Sequence, residues 1–135
     1  MYAKVIRNDF DENIIDMTFM VTNKCNYNCQ YCIENLQNLN KNDILFLDLN
    51  KTLLFIDKYC SIYNNKINIR IYGGEPTLHP DLLDFCEKLN CYTNITIIEI
   101  FTNFSLNYEY YKKLLTIPKL HLYTSYHINN IMSDN

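Results

Sequence analysis

The sequence predicts an α/β fold in which about four parallel strands alternate with three helices. Two observations support this prediction: β-branched or aromatic runs of strand length recur along the 135 residues, and segments with helical spacing separate them. Such an alternation implies right-handed βαβ units and therefore a parallel sheet. We expect functional groups at the carboxyl ends of the strands, where the ligands of such sheets bind.

Four runs have the composition and length of strands. They are Asn13 to Val21, Ile67 to Tyr72, Ile95 to Phe101 and Leu120 to Tyr126. A short antiparallel strand at residues 2 to 7 is expected to precede them, joined through a turn at Asp9 to Asn13. Residues 1–12 would then form an N-terminal strand extension of the sheet.

Three segments between these runs have helical spacing. Asp48 is the expected N-cap of the first helix, because an Asp side chain can accept a hydrogen bond from the first turn. Pro80 is expected in the first turn of the second helix. The third helix is predicted over Asn107 to Thr116 and cannot continue through Pro118. The apolar stripes of the first two helices are Leu49, Leu53, Ile56, Cys60 and Tyr63, and Leu82, Leu83, Phe85, Cys86 and Leu89.

Composition limits the number of domains and the kinds of partner. A chain of 135 residues with 48% hydrophobic residues can bury one core, so residues 1–135 are expected to form a single domain. The formal net charge of −3 and the scattered lysines disfavour a nucleic-acid partner. No apolar run approaches the roughly 20 residues of a membrane span, and the first residues lack the apolar region of a signal peptide. We therefore expect a cytoplasmic protein without a membrane partner.

The stretch "TNKCNYNCQYC", Thr22 to Cys32, brings three of the six cysteines together in the loop after the first long strand. In the cytosol such clusters more often hold metal or perform redox chemistry than form disulfides. Closely spaced thiolates hold iron-sulfur clusters, and three ligands to a four-iron cluster would leave one iron open for a substrate or cofactor. A zinc site completed by a His or a further Cys is the alternative, although zinc favours paired C-x2-C clusters.

Two motifs carry a resemblance to a known family. "CNYNCQYC" is C-x3-C-x-aromatic-C and resembles the signature of the radical S-adenosylmethionine (radical SAM) superfamily, and "GGEPTLHPDL" from Gly73 to Leu82 resembles its GGEP motif. The resemblance extends from about Ile14 to His127. It implies that the fold is part of that family's (β/α)6 barrel, with a [4Fe-4S] cluster and S-adenosylmethionine as cofactors.

The resemblance also implies roles for the residues of the cysteine motif. Cys25, Cys29 and Cys32 would ligate three irons, and the amino and carboxylate groups of S-adenosylmethionine would chelate the fourth. Tyr31 matches the family's aromatic position near the adenine, but its ring could equally pack the loop onto the sheet. The other cysteines are not expected to be ligands, since Cys60 and Cys86 fall on apolar stripes and Cys91 follows a helix end.

In the second motif, residues Gly73 to Pro76 would form the edge that binds the methionine part of the cofactor. The two glycines, which are the only ones in the chain, would let the backbone approach the ligand closely. Glu75 or the adjacent backbone would accept a hydrogen bond from the ammonium group. His79 is expected at the entry to the second helix rather than as a ligand.

Two further strand ends match family positions. Asn103, in "FTNF", would face the cofactor, but Phe104 stands where many relatives have glycine, so a different local turn is expected. Ser125, in "TSYH", lies where relatives place a polar side chain on the ribose, and His127 is a weaker candidate.

The implied function is generation of a 5′-deoxyadenosyl radical that abstracts hydrogen from a substrate, with an electron from an external donor. The substrate would be a small molecule or peptide, and peptide or protein modification or activation is the nearest class by motif style. The alternative is a non-catalytic module that binds an iron-sulfur cluster or zinc.

The sequence stops soon after the fourth predicted parallel strand, whereas a full barrel of this family has six. Three explanations are open: a truncated or split product, a minimal enzyme completed by a partner chain or by self-association, and a decayed remnant. The exposed edge of the fourth strand favours association. We expect the isolated chain to bind a cluster and to cleave S-adenosylmethionine slowly or not at all.

Overall fold

A computed structural model describes residues 3–7, 11–27 and 40–124. This part of the chain forms one five-stranded sheet in which the strands follow one another in sequence order. The first strand is antiparallel to the second, and the remaining neighbours are parallel. The strands are β1 (Ala3–Arg7), β2 (Ile14–Thr22), β3 (Lys66–Gly73), β4 (Ile95–Thr102) and β5 (Leu120–Thr124).

A helix follows each of the three central strands: α1 (Leu49–Ile62), α2 (Leu82–Asn90) and α3 (Tyr108–Leu115). Short 3-10 helices lie at Lys41–Asp43 and Pro76–Leu78. Because parallel neighbours follow in sequence order and crossovers are right-handed, the three helices lie on the same face of the sheet. The other face is left without a helix in the described residues.

The core lies between the sheet and its three helices. Alternate residues of β3, Ile67, Ile69 and Ile71, are fully buried on the helix side, as the period of two of a strand requires. The helices contribute their own buried residues: Ile56, Leu82, Phe85, Leu89 and Leu114. This apolar layer positions the strand ends, and with them the loops at the carboxyl edge.

The opposite face of the sheet carries a group of polar side chains. Asn68 donates to Asp16 across the β2–β3 pair at 3.1 Å. Arg70 and Glu99 form an ion pair at 2.9 Å across the β3–β4 pair. These side chains come from strand positions that alternate with buried apolar residues, and the same face also carries Met20 and the stacked rings of Phe101 and Tyr123.

Most of the predicted elements are present. The expected N-terminal strand is β1, and Asp48 caps α1 by accepting from Lys51 N at 3.0 Å. The third helix has the predicted position, with Asn107 as N-cap and Thr116 as C-cap.

The predicted start of the second helix is wrong, because Pro80 lies in a turn and the helix begins at Leu82. The segment before it is used instead for the 3-10 helix that starts at Pro76. In the part of the chain described here, no helix has the length and apolar character needed to cross a membrane.

We expect replacement of Ile69 by Ala to lower the free energy of unfolding by about 2–5 kcal/mol, because the change leaves a cavity in the buried layer. Ile62→Ala is the matched control, since this side chain at the end of α1 is exposed and should cost less than about 0.5 kcal/mol. Urea unfolding of both variants gives the comparison. Equal losses would contradict the assignment of the core to the helix-covered face.

Candidate cofactor site at the carboxyl edge of the sheet

The carboxyl ends of β2, β3 and β4 meet at one edge of the sheet because these strands are parallel. Thr22, Gly73 and Thr102 are their last residues. The cysteine loop follows the first of them, the GGEP segment the second and the "NFS" turn, residues 103–105, the third. The fold thus brings together three segments that are far apart in sequence.

The glycine pair packs directly on the start of the cysteine loop. Gly74 N donates to Thr22 O at 2.8 Å, and Glu75 N donates to Lys24 O at 2.7 Å. A Cβ atom at Gly73 would collide with Thr22 O, and one at Gly74 would collide with Lys24 O. Neither glycine has a positive φ, so close backbone approach is what requires glycine here.

This geometry changes the explanation for the glycines. The sequence predicts that the glycines allow a ligand to approach closely, whereas in the structure the chain's own backbone occupies the space beside each Cα. The pair therefore joins the GGEP segment to the backbone just before Cys25.

Glu75 connects the GGEP segment to the end of β4. Its side chain is fully buried. Oε1 accepts from Thr77 N at 3.2 Å and from the hydroxyls of Thr77 and Thr102, both at 2.6 Å. Oε2 accepts from Asn103 N at 2.6 Å. Four donors from the protein thus surround this carboxylate, which the sequence predicts, as an alternative to the adjacent backbone, to accept from a ligand ammonium group.

The turn after β4 has a backbone conformation that is typical of glycine. Phe104 has a φ of 59°, the left-handed region that non-glycine residues seldom adopt. Its N–H donates to Thr102 Oγ1 at 3.1 Å, and its ring stacks on Tyr111 with centroids 4.0 Å apart. Phe104 thus adopts a conformation typical of glycine, and its contacts with Thr102 and Tyr111 hold it there.

Asn103 does not point into open space. Its Oδ1 accepts from Ser105 N at 3.1 Å, and its Nδ2 donates to Asn26 Oδ1 at 2.9 Å. Asn26 in turn donates from Nδ2 to Ser105 Oγ at 2.7 Å. The side chain that was predicted to face a cofactor thus binds the cysteine loop.

Cys25 is half-buried at this edge, and its sulfur accepts a hydrogen bond from Tyr27 N at 3.4 Å. The other predicted ligands, Cys29 and Cys32, and the predicted contacts Tyr31 and Ser125, lie outside the described residues, as does His127. Among the residues that are described, no group of three His, Cys, Asp or Glu side chains is close enough to hold a metal ion.

The backbone before Cys25 is also tied to residues 43–47. Thr22 Oγ1 donates to Leu45 O at 2.8 Å, and Asn23 accepts from Leu45 N at 2.7 Å. His79 holds the same segment from the other side, because its Nε2 lies 2.8 Å from Leu47 O. Its Nδ1 accepts from Asp81 N at 3.1 Å, so Nε2 carries the proton and donates to Leu47 O. The ring thus joins residues 47 and 81.

The remaining cysteines lie away from this edge, as expected. Cys86 is buried in α2, and burial raises the pKa of its thiol to about 12. Burial also raises the pKa of Cys60 in α1. Cys91 is the exposed C-cap residue of α2. A thiol with a raised pKa is a poor metal ligand because the thiolate is the form that binds.

Sequence reasoning missed Thr22, Asn23, Asn26 and Thr102 as parts of the site. Their only signal is position, since all are polar residues at or just after an apolar strand. Such residues are common in loops, and their partners lie from about 20 to 80 positions away along the chain.

Comparison with known proteins identifies the class. Residues 19–129 match the model of the Radical SAM superfamily. Because the match covers most of the chain and includes both the cysteine loop and the GGEP segment, the chain belongs to the radical SAM superfamily.

The relatives include enzymes named GTP 3′,8-cyclase. That of Pasteurella multocida (strain Pm70) is 32% identical over 94 residues, which are 70% of this chain and 27% of the relative. That of Staphylococcus epidermidis (strain ATCC 12228 / FDA PCI 1200) is 34% identical over 104 residues, 74% of this chain and 30% of the relative. That of Staphylococcus aureus (strain JH9) is 32% identical over 113 residues, which are 81% of this chain and 33% of the relative. The chain thus spans about a third or less of the length of these relatives.

We expect Glu75→Gln to lower the free energy of unfolding by about 1–3 kcal/mol, because an amide NH2 cannot accept the hydrogen bonds of a buried carboxylate. Glu109→Gln is the control, since Glu109 is exposed in α3 and its ion pair with Lys112 is long, at 3.8 Å. Urea unfolding of the two variants measures the difference. Equal stability of both variants would show that the carboxylate does not join the strand ends.

We expect Gly74→Ala to destabilise the chain by about 1–3 kcal/mol, as overpacking does. The new methyl group would meet the backbone of Lys24 and lie 2.8 Å from Asn23 O, and backbone atoms cannot move aside as a flexible side chain can. Amide hydrogen exchange of the peptide that contains Lys24 should rise in the variant. Unchanged exchange and an unchanged urea midpoint would contradict this contact.

Proposed function

We propose that the chain is the part of a radical SAM enzyme that binds a [4Fe-4S] cluster and S-adenosylmethionine. The observation that carries the proposal is the direct bonding between the cysteine loop and the GGEP segment, through Glu75 N and Lys24 O at 2.7 Å. Lys24 and Glu75 are 51 positions apart in the sequence, and their bond brings the two motifs to one edge of the sheet. Membership of the superfamily supports the same function.

The donor set of the cysteine loop fits the cluster. Cys25 is half-buried at the edge and its sulfur has a backbone N–H donor, a contact that stabilises negative charge on a thiolate ligand. Cys29 and Cys32 supply the further thiolates in this proposal, in the C-x3-C-x2-C spacing. Once bound, the cluster and S-adenosylmethionine would supply the radical chemistry, with electrons from an external donor.

The chain's own residues would orient the cofactors and limit access of water. The backbone at Gly73 to Pro76 would bind the methionine part, while the buried carboxylate of Glu75 keeps that segment against β4. Tyr31 and Ser125 stay proposed contacts to the adenine and ribose. The proposal assigns Asn103 to the same edge, although its side chain bonds Asn26.

The sheet is proposed to be part of a (β/α) barrel wall. Parallel strands in sequence order with all helices on one face are the arrangement of a barrel wall, whereas a doubly wound sheet reverses direction and has helices on both faces. The face with Asp16, Asn68, Arg70 and Glu99 would then face the barrel interior. The charged and amide groups on this face suit a polar small molecule or a peptide as substrate.

The relatives' name refers to GTP, but the similarity spans about a third or less of their length. We therefore propose the cofactor chemistry for this chain, and for the substrate we propose only its class, a polar small molecule or a peptide. We also propose that further residues or a partner chain complete the barrel. The proposed location is the cytosol. A zinc-binding or non-catalytic cluster-binding module is the competing function.

Anaerobic reconstitution with iron and sulfide tests the ligand set. We expect Ala at any one of Cys25, Cys29 or Cys32 to abolish the broad visible absorbance of the cluster, because two thiolates cannot hold it. Cys91→Ala is the matched control, being exposed at the far end of α2, and should keep the cluster, as should Cys60→Ala and Cys86→Ala. Equal loss in the control would show that other cysteines are the ligands, and stoichiometric zinc in place of iron would favour the competing function.

A further inference from the structure

Asn26 connects the cysteine loop to the turn after β4. Both polar atoms of its side chain are used: Nδ2 donates to Ser105 Oγ at 2.7 Å, and Oδ1 accepts from Asn103 Nδ2 at 2.9 Å. The partners lie 79 and 77 positions away in sequence. Both polar atoms of this exposed side chain are therefore bonded to one distant segment of the chain.

The turn that receives Asn26 is itself held in place. Asn103 N donates to the buried carboxylate of Glu75 at 2.6 Å, and Asn103 Oδ1 accepts from Ser105 N at 3.1 Å. Phe104 stacks on Tyr111, with an interplanar angle of 8°. Asn26 therefore binds a fixed structure that is anchored in the core of the sheet.

The residue after Asn26 contacts the first cysteine. Tyr27 N donates to Cys25 Sγ at 3.4 Å, so the peptide between residues 26 and 27 lies between the Asn26 bonds and the sulfur. Fixing the Asn26 side chain fixes the direction of this N–H group.

We propose that Asn26 is a positioning residue that, held by Asn103 and Ser105, keeps the cysteine loop on the turn after β4 and directs Tyr27 N–H at Cys25. The inference rests on the proposed function, because its consequence concerns a cluster bound through Cys25. Hydrogen bonds to the ligand sulfurs tune the reduction potential of iron-sulfur clusters and orient their ligands. Asn103 then acts through Asn26 and need not touch the cofactor.

Hydrogen exchange in the iron-free full chain tests the connection without a cluster. Asn103→Ala should raise amide exchange in the peptide that contains Asn26 and Tyr27, although the substitution lies in another loop, because Asn103 holds Asn26. Asn94→Ala is the matched control, because Asn94 also uses its side chain, in a bond to Asn65 O at 3.1 Å, at the opposite end of β4. Unchanged exchange at Asn26 and Tyr27 in Asn103→Ala would overturn the proposal.

A double-mutant cycle on the reconstituted chain tests the consequence for the cluster. Asn26→Ala and Asn103→Ala should each make the cluster several-fold faster to lose to a chelator, and each should shift its reduction potential, followed by electron paramagnetic resonance, to lower values. The double variant should lose the cluster no faster than Asn26→Ala alone, since Asn103 acts on the loop through Asn26. Asn94→Ala should match the parent chain, which excludes a general effect on stability.

Additive effects of the two substitutions, or a parent-like rate and potential in Asn26→Ala, would overturn the proposal. Failure of the parent chain to take up a cluster would instead count against the proposed function. In that case the exchange experiment still decides whether Asn26 holds the two loops together.

Discussion

The arrangement of the site depends on the hydrogen bonds that the buried carboxylate of Glu75 accepts. Burying an ionised carboxylate is costly unless hydrogen bonds replace the lost water. Here, two hydroxyls and two backbone N–H groups do so, from Thr77, Thr102 and Asn103. The same contacts join the end of β3 to the end of β4. The hydrogen bonds that compensate for burial of the carboxylate therefore also position the two strand ends.

Two sets of hydrogen bonds attach the cysteine loop to Glu75 and to its partner Asn103. Through the backbone, Glu75 N bonds Lys24 O, and Gly74 approaches so closely that no Cβ would fit. Through side chains, Asn103 bonds Asn26. Cys25 lies between these two attachments, which explains how a loop can present a thiol at a defined place before any ligand is bound.

The fold could largely be predicted from the sequence because its signals are local. β-Branched or aromatic runs of strand length predicted β2, β3 and β4, and the N-cap at Asp48 predicted the start of α1. The start of α2 was placed too early, because Pro80 suits a turn as well as a first helical position.

The site was predictable only where a motif named its residues. The motifs pointed to Cys25 and to Gly73–Glu75, but the glycines proved to pack on the loop, and the Glu75 carboxylate on Thr77, Thr102 and Asn103. Asn26 had no signal, because its partners are 77 and 79 residues away and a single sequence does not show such contacts. The positive φ of Phe104 was likewise unpredictable, because it depends on Thr102 and Tyr111.

The most direct test of this account is the electron paramagnetic resonance spectrum of the anaerobically reconstituted, reduced chain, recorded with and without S-adenosylmethionine. The account predicts the spectrum of a reduced iron-sulfur cluster that changes when S-adenosylmethionine is added, because the cofactor would bind at the iron that the three cysteines leave open. A cluster spectrum that S-adenosylmethionine leaves unchanged, or a chain that takes up zinc and no cluster, would contradict it.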